Sequence, residues 1–543
     1  MNRTGVIYGI NGPVVYIKGN TGFKMAEMVY VGKEKLVGEV IGLDKDRTTI
    51  QVFEETTGIK PGEIVEATGD AISVYLAPGI LHNIFDGIER PLSEIAKIGG
   101  AYISRGTVVD SLNKEKLWDA HMIVKEGDRV SGGSIICEVP ETKAITHKVM
   151  VPPNLSGTLT KVMPDGQYTI CDTIAVLQLD DGTEKELTMM QKWPIRVPRP
   201  TTRRYPASKP LITGQRILDT LFPIAKGGTA AIPGGFGTGK TMTQHQIAKW
   251  SDADIIIYIG CGERGNEMTQ VLEDFSKLVD PKTGNPLMER TTLIANTSNM
   301  PVAAREASIY TGVTLAEYYR DMGYDVAIMA DSTSRWAEAL RELSGRLEEM
   351  PAEEGFPAYL ASRLSAFYER AGMMQNLNGT EGSVSIIGAV SPQGGDFSEP
   401  VTQNTKRFVD HRNQIMAILN QESSLMEIVK LIGSDVLPDD QKLVLEISRV
   451  VRLGFLQQNA FHPDDTCVPM EKQMKMMETI LYLYDRSKAL ITQGMPMSVL
   501  KRENIFEKVI AIKYDVPNDH LEMFDDYKKA IDEFYDRVLE KNA

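Results

Sequence analysis

A glycine-rich run at residues 234–241 has the spacing of a phosphate-binding loop. It reads G-x-x-x-x-G-K-T and consists of Gly234, Gly235, Phe236, Gly237, Thr238, Gly239, Lys240 and Thr241. A β-prone run at 229–232 precedes it, and a helix-compatible run at 242–250 follows it. Backbone N–H groups of such a loop can surround a polyphosphate, while Lys240 reaches the β- and γ-phosphates and the Thr241 hydroxyl ligates Mg²⁺. This context predicts a nucleoside triphosphate site rather than an ordinary glycine-rich turn.

Two acidic residues follow apolar runs that are typical of buried parallel strands. Glu263 comes shortly after the run at 254–259, and Asp331 ends the run at 325–330. Ligands bind at the carboxyl ends of parallel strands, so both carboxylates are expected beside the phosphate loop. Glu263 is predicted to orient and polarise the water that attacks the γ-phosphate. Asp331 is predicted to hold Mg²⁺, partly through water. The alternatives are a solvated loop acid for Glu263 and a helix N-cap for Asp331.

Three further charged residues lie close to these two acids in the sequence. Arg264 could contact phosphate or position the neighbouring carboxylate. Glu267 is either a supporting carboxylate or an exposed one. Arg335, one helical turn after Asp331, could steady the active site or lie on the surface. The sequence does not decide between the two roles of Glu267 or between the two roles of Arg335.

The elements that must position these residues change character along the chain. Short alternating strands separated by turns predict an N-terminal β-barrel at 1–72, a connector at 73–110 and an inserted β-rich module at 111–190. Strand–helix–strand alternation predicts a P-loop nucleotide-binding core of the doubly wound α/β class at 191–405. Helical periodicity at 414–431, 439–455, 469–493 and 521–541 predicts a C-terminal helical domain at 406–543.

Composition narrows the class of protein further. The chain has 543 residues and a formal net charge of −14, which argues against a general nucleic-acid binder. Its four cysteines are widely separated, so a reducing compartment is expected and a disulfide framework is not. No apolar run is long enough for a transmembrane helix, and the N-terminus lacks a signal-peptide core. Any membrane connection is therefore expected to run through partners.

Several long motifs in fixed order resemble the catalytic A subunits of the V/A-type rotary ATPases. They are GGFGTGKT, GCGERGNE at 260–267, MADSTSRWAEALRE at 329–342 and SPQGGDFSEPVTQNT at 391–405. The resemblance also covers INGPVV at 10–15, QKWPIRVPRP at 191–200, FPAYLASRLSAFYERAG at 356–372 and FLQQNAF at 455–461. It implies a RecA-like core carrying the inserted module. That module separates this chain from the F-type β subunits, and the retained Lys240 and Glu263 separate it from the non-catalytic B subunits.

The resemblance also implies roles for individual residues and partners. Lys240 would stabilise transferred charge, Arg264 would contact phosphate, and Phe455 and Phe461 would line the adenine pocket. The implied substrate is ATP or ADP with Mg²⁺. The implied partners are B subunits in an alternating hexamer that supplies an arginine finger in trans, central and peripheral stalks, and a membrane sector that moves protons or sodium ions. This places the chain on the cytoplasmic face of a membrane.

One departure from the family pattern lies at residues 405–413. The family normally has a longer segment there, which carries an aromatic residue that packs on the adenine, and Phe408 is a candidate to replace it. Two alternatives follow from the sequence. One is a related hexameric ATPase of the export or RNA-translocase type, and the other is a structural subunit that no longer turns over because of the shortened junction.

Overall fold

The fold is described from a computed structural model of the chain. The description covers residues 3–19, 22–100, 103–235, 237–280, 283–392, 399–402, 437–502 and 504–542, together with 422, 424–427, 429–430 and 433. The chain divides into two compact units. The first comprises residues 1–209, 225–244 and 253–409, and the second comprises residues 210–224, 245–252 and 410–543.

The first unit begins with a closed antiparallel barrel. Its strands are β1 (Thr4–Asn11), β2 (Val14–Lys18), β3 (Glu27–Val31), β4 (Leu36–Leu43), β5 (Arg47–Val52) and β6 (Ile64–Ala71). They are arranged in the order β1-β2-β5-β4-β3-β6. Alternate apolar side chains, such as Val15, Val29 and Ile50, are fully buried inside. The period-two pattern of the sequence therefore fills the barrel interior.

The inserted region forms two four-stranded antiparallel sheets. Its strands are β9 (Trp118–Met122), β10 (Arg129–Val130), β11 (Ile135–Pro140), β12 (Thr146–Met150), β13 (Gly157–Val162), β14 (Gly166–Tyr168), β15 (Ala175–Leu179) and β16 (Glu184–Leu187). One sheet has the order β10-β13-β15-β16 and the other β12-β11-β9-β14. Strand β7 (Ser73–Leu76), before the insert, pairs with β17 (Gln191–Pro194), after it. This pairing closes the chain at the base of the insert.

The nucleotide-binding core is built on a mostly parallel sheet. Its strands are β8 (Ile84–Phe85), β18 (Arg203–Tyr205), β21 (Thr229–Pro233), β22 (Ile255–Glu263), β23 (Thr291–Thr297), β24 (Asp325–Asp331), β25 (Gly372–Gln375) and β26 (Glu381–Val390). The order is β18-β25-β26-β24-β22-β23-β8, and β21 pairs with β26. The pairs among β8, β23, β22, β24, β26 and β21 are parallel, whereas β18 and β25 join antiparallel. Two short strands, β19 (Pro210–Leu211) and β20 (Ile224–Ala225), lie outside this sheet.

Six helices accompany the sheets. They are α1 (Leu92–Gly99), α2 (Lys240–Trp250), α3 (Gly265–Lys277), α4 (Val302–Asp321), α5 (Thr333–Arg346) and α6 (Leu360–Tyr368). Short 3₁₀ turns lie at Leu287–Arg290 and Glu353–Gly355. Almost every residue of α4 is buried, including four of its five charged ones, Glu306, Glu317, Arg320 and Asp321. This helix therefore has no solvent face, and its polar side chains need partners inside the protein.

The second unit is helical, as predicted. Its helices are α7 (Asp439–Val450), α8 (Met470–Thr492), α9 (Met497–Leu500), α10 (Ile505–Asp515) and α11 (Met523–Asn542), with π-helical turns at Ile217–Leu221 and Val451–Leu456. The barrel, the nucleotide-binding core and this helical region confirm the predicted fold class, and the domain boundaries stay predictions. Most of the predicted helix at 414–431 and the junction at 405–413 lie outside the described residues. Among the described helices, none combines the length and apolar composition needed to cross a bilayer.

A half-buried arginine holds the barrel against the core. Arg196 donates hydrogen bonds to both oxygens of Glu39 on β4, at 2.8 and 2.7 Å, and to both oxygens of Glu306 on α4, at 3.1 and 2.8 Å. Paired, fork-shaped contacts of this kind fix the angle between the groups as well as their distance. The barrel and α4 therefore share one cation.

A second buried cluster holds the inserted module against α4. The carboxylate of Glu141 accepts hydrogen bonds from the N–H groups of Gly79 and Leu81 and from the Tyr319 hydroxyl on α4. His147 Nδ1 lies 2.7 Å from Glu141 Oε2, and His147 Nε2 lies 2.9 Å from the Tyr318 hydroxyl. Burial opposes the charge of Glu141, but His147 and the two N–H groups lower the pKa of this carboxyl overall.

We predict that His147→Ala destabilises the protein far more than His121→Ala, which removes an exposed histidine of the same module. The side chain of His147 is 0% exposed and that of His121 is 62% exposed. The substitution removes a hydrogen-bond partner from the buried Glu141 carboxyl, and leaving a buried polar group without its partner typically costs about 1–3 kcal/mol, more if the group is charged. Thermal unfolding of the two variants measures the difference. Equal midpoints would show that the cluster adds little to stability.

Candidate active site

The phosphate loop joins β21 to α2 in the first unit. The N–H of Gly234 donates to the carbonyl of Val390 on β26 at 3.0 Å, which holds the start of the loop against the sheet. Gly237 and Gly239 have φ angles of +74° and +86°, which favour glycine. A Cβ on Gly234 would collide with Thr238 Oγ1. Backbone geometry thus favours glycine at two loop positions and crowding by the Thr238 side chain favours it at a third, while Phe236 lies outside the described residues.

Lys240 is the first residue of α2, and its side chain turns back over the loop. Its Nζ donates to the carbonyls of Gly234 and Gly235, each at 2.7 Å. One turn further along α2, Gln244 Nε2 donates to the carbonyls of Ala330 and Ile387, at 3.2 and 3.1 Å. These two carbonyls belong to β24 and β26, so the helix is tied to the sheet directly behind the loop. The ammonium group and the helix N-terminus together present positive charge at the loop.

Thr241 and Asp331 are in direct contact. Thr241 Oγ1 donates to Asp331 Oδ2 at 2.7 Å, and Asp331 is 3% exposed at the end of β24. Burial raises the pKa of Asp331, although the Thr241 hydroxyl and the charge of Lys240 oppose this shift. A hydroxyl beside a single carboxylate suits Mg²⁺, which takes few protein ligands and keeps water and phosphate oxygens. The described residues contain no cluster of three or more His, Cys, Asp or Glu side chains that could hold a metal ion.

Glu263 ends β22, the strand next to β24. Its pKa is raised to about 8, chiefly by burial and then by the negative charge of Asp331 and a hydrogen bond with Glu267, while Arg335 opposes the shift. At neutral pH this carboxyl therefore keeps its proton until positive charge comes close. A carboxyl group whose pKa lies near neutral pH, at the same sheet edge as a phosphate loop, is suited to proton transfer with water.

The two arginines of the site lie on different elements. Arg264 is exposed and directly precedes α3. Arg335, on α5, donates to both oxygens of Glu338 at 3.0 and 2.8 Å. A Cβ on Gly262 would come within 2.8 Å of Arg335 Cβ, so α5 packs closely on the strand end that carries Glu263. Glu267 is half-buried and lies within hydrogen-bonding reach of Glu263, as one of the two alternatives predicts.

Phe455 and Phe461, which the family resemblance assigns to adenine, belong to the helical unit. Phe455 is fully buried in the core of that unit, and its backbone carbonyl accepts a hydrogen bond from Arg216 Nε at 2.6 Å. Phe461 is 85% exposed, and its N–H donates to Asn459 Oδ1 at 3.0 Å. The two rings thus differ strongly in exposure. Their role at adenine stays a prediction.

The sequence reasoning missed one polar group of the site. The hydroxyl of Tyr258, in the middle of β22, donates to Asp331 Oδ2 at 3.2 Å. The only signal in the sequence is a single tyrosine within a run of isoleucines at 255–259. Such a residue is more often part of the apolar core, so the pattern alone does not single it out.

Four family models match successive parts of the chain. The beta-barrel domain of the ATP synthase alpha/beta family matches residues 7–69, and the ATPsynthase alpha/beta subunit barrel-sandwich domain matches residues 109–196. The nucleotide-binding domain of the ATP synthase alpha/beta family matches residues 214–423. The C-terminal domain of V and A type ATP synthase matches residues 400–500.

Curated relatives match along nearly the whole chain. The V-type ATP synthase alpha chain 2 of Clostridium tetani is 56% identical over 582 aligned residues, which cover 99% of this chain and 98% of the relative. The A subunit of the A-type ATP synthase from Methanopyrus kandleri is 53% identical over 585, covering 99% of each chain. The V-type ATP synthase alpha chain of Halothermothrix orenii is 54% identical over 586, again covering 99% of each. These alignments are longer than the chain itself, so the relatives have internal residues without a counterpart here.

The raised pKa of Glu263 predicts how stability depends on pH. Between the ordinary carboxyl pKa of 4.5 and about 8, the unfolded chain loses this proton while the folded chain keeps it, so the wild-type protein loses stability as pH rises. Glu263→Gln removes this loss. We therefore expect the thermal midpoint of the variant to exceed that of the wild type by more at pH 8 than at pH 5. The matched control is Glu273→Gln, at an exposed position on α3, and an equal response to pH in both variants would contradict the assignment.

Proposed function

Because the chain belongs to the family of the V-type ATP synthase alpha chains and the A-type ATP synthase A subunits, we propose that it is the ATP-converting subunit of a membrane-attached rotary ATPase. The observation that carries this proposal is the contact of Thr241 with Asp331. Thr241 directly follows Lys240 of the phosphate loop, and Asp331 ends the strand that pairs with the strand of Glu263. Transfer of the γ-phosphoryl group needs a loop that binds phosphate, a carboxylate that helps to hold Mg²⁺ and a carboxyl group that activates water. The loop, Asp331 and Glu263 supply these at one edge of the sheet.

In the proposed reaction, ATP binds with its phosphates along the N–H groups of the loop. Glu263 accepts a hydrogen bond from the water that attacks the γ-phosphorus in line. The bond from that phosphorus to the bridging oxygen breaks, and the bridging oxygen stays with ADP. Lys240 moves from the loop carbonyls to the β- and γ-phosphates and balances the charge that develops there. Arg264 contacts the phosphate. Synthesis is the same path in reverse.

Thr241 and Asp331 are the residues that would hold Mg²⁺. When bound, this ion would supply positive charge that offsets the charge of the phosphates. The Thr241 hydroxyl would serve as a ligand, and Asp331 would act through water. A cationic group that approaches Glu263 would favour the charged form of its carboxyl, which is the form that takes the proton of the attacking water.

The remaining catalytic and mechanical parts are proposed to come from partners. Neighbouring B subunits alternate with this chain in a hexamer and supply an arginine in trans. Central and peripheral stalks connect the hexamer to a membrane sector that carries protons or sodium ions, and the complex lies on the cytoplasmic face. Of the two phenylalanines that the resemblance assigns to adenine, Phe461 has the exposed ring and is proposed to contact it. Loss of the γ-phosphate changes which state of that unit is preferred, which transmits work to the stalk.

The membership of the family disfavours an export ATPase or an RNA translocase. The short junction at 405–413 leaves one rival function, a chain that binds nucleotide without turning it over. Purification of the chain with its B-type partner, followed by an assay of Mg-ATP hydrolysis, separates the two. Hydrolysis supports the proposal, and nucleotide binding without hydrolysis supports the rival.

We predict that Glu263→Gln in this complex lowers the rate constant of hydrolysis by about 100-fold or more while Mg-ATP still binds. The amide keeps the size of the side chain but cannot take a proton from water, and proton transfer by a positioned group typically contributes about 10²–10⁴-fold. Steady-state hydrolysis and equilibrium nucleotide binding are measured side by side. Glu273→Gln serves as the control and should retain full activity. Near-normal turnover by Glu263→Gln would remove this residue from its proposed role.

A further inference from the structure

The proposed reaction gives no role to the hydroxyl of Tyr258, yet this hydroxyl contacts Asp331, the carboxylate proposed to help hold Mg²⁺. Tyr258 is 1% exposed, and its hydroxyl donates to Asp331 Oδ2 at 3.2 Å from the neighbouring strand.

Two hydroxyl groups share a single oxygen of this carboxylate. Oδ2 of Asp331 accepts from Thr241 at 2.7 Å and from Tyr258 at 3.2 Å. In the described part of the chain, no group donates a hydrogen bond to Oδ1 of the same residue. The plane of the carboxylate is thus held through one oxygen, and the other oxygen is left for a water molecule of a hydrated cation.

The ring that carries this hydroxyl cannot move freely. Tyr258 pairs with Leu293 on one side and with Met329 on the other, in parallel register. Its ring meets Phe275 of α3 edge-on, with centroids 5.6 Å apart and an angle of 79° between the planes. A buried ring that packs edge-on against Phe275, on a strand paired on both sides, delivers its hydroxyl to one position, which is the property a positioning group needs.

We propose that Tyr258 is a positioning residue for the metal-binding carboxylate. Together with Thr241 it fixes Oδ2 of Asp331, so that Oδ1 faces the water shell of Mg²⁺ in one orientation. This inference rests on the proposed function, because it concerns the same nucleotide site. It predicts that the Tyr258 hydroxyl contributes to the affinity for Mg²⁺ with nucleotide, but not to the affinity for nucleotide without metal.

The test is Tyr258→Phe, which removes only the hydroxyl oxygen and keeps the ring. Binding of a fluorescent ADP analogue to the full chain is measured in EDTA and then as a function of Mg²⁺ concentration. We expect the Mg²⁺ concentration for half-maximal enhancement of binding to rise about tenfold, as the loss of one hydrogen bond to a charged group suggests. Affinity in EDTA should stay within about twofold of wild type.

The matched control is Tyr319→Phe. Tyr319 is also a buried tyrosine that donates to a buried carboxylate, Glu141, at 3.0 Å, but it lies on α4 and contacts the inserted module. This variant loses the same kind of hydrogen bond and should leave the Mg²⁺ dependence unchanged. A control that shifts as much as Tyr258→Phe would show a general loss of stability and overturn the proposal.

Two other results would also overturn it. An unchanged Mg²⁺ dependence in Tyr258→Phe would mean that Asp331 does not need the hydroxyl. A parallel loss of binding in EDTA would mean that Tyr258 only supports the fold of the site. Failure of the proposed function looks different. A chain without a nucleotide site would bind no nucleotide in EDTA or in Mg²⁺ even as wild type, and a chain that binds without turnover would show wild-type binding but no hydrolysis in the assay with the B-type partner.

Discussion

The parallel register of β21, β26, β24 and β22 is the constraint on which the site depends. It brings the ends of these strands to one edge of the sheet, so residues far apart in the chain meet there. Thr241 and Asp331, 90 residues apart, are joined by one hydrogen bond across this edge. A shift of one residue in the register of β24 would turn Asp331 to the opposite face of the sheet, and the same shift in β22 would turn Glu263.

The same constraint crowds acidic groups together. Glu263, Glu267 and Asp331 lie within interaction distance of one another, and burial weakens the screening between them. The site is therefore least stable when no cation is near, and binding of a cation with nucleotide relieves the repulsion. Ligand binding and local stability are linked for this reason. Arg335, which is partnered with Glu338, relieves only part of the repulsion.

Much of this arrangement can be predicted from the sequence, because local patterns and chain direction determine it. The amino-acid sequence shows the spacing of the loop, the apolar runs and the acidic residues that follow them, and the structure brings Lys240, Thr241, Glu263 and Asp331 to one edge of the sheet. The sequence does not show which side chains meet across neighbouring strands. The contact of the Tyr258 hydroxyl depends on register, and the antiparallel strands β18 and β25, of three and four residues, are too short to show a pattern. The exposure of Phe461 and the burial of Phe455 likewise depend on how the helices pack.

The buried cluster around Glu141 has a practical consequence for following motion in this protein. All four cysteines are free, but only Cys171, in the inserted module, is exposed. Burial raises the pKa of Cys137 and Cys261 to about 12 and that of Cys467 to about 11, so these thiols are poorly nucleophilic near neutral pH. A dye coupled to Cys171 would sit on a module that Glu141, His147 and Tyr319 clamp to α4. The wild-type chain thus carries its own single attachment point for a reporter that moves with the nucleotide-binding core.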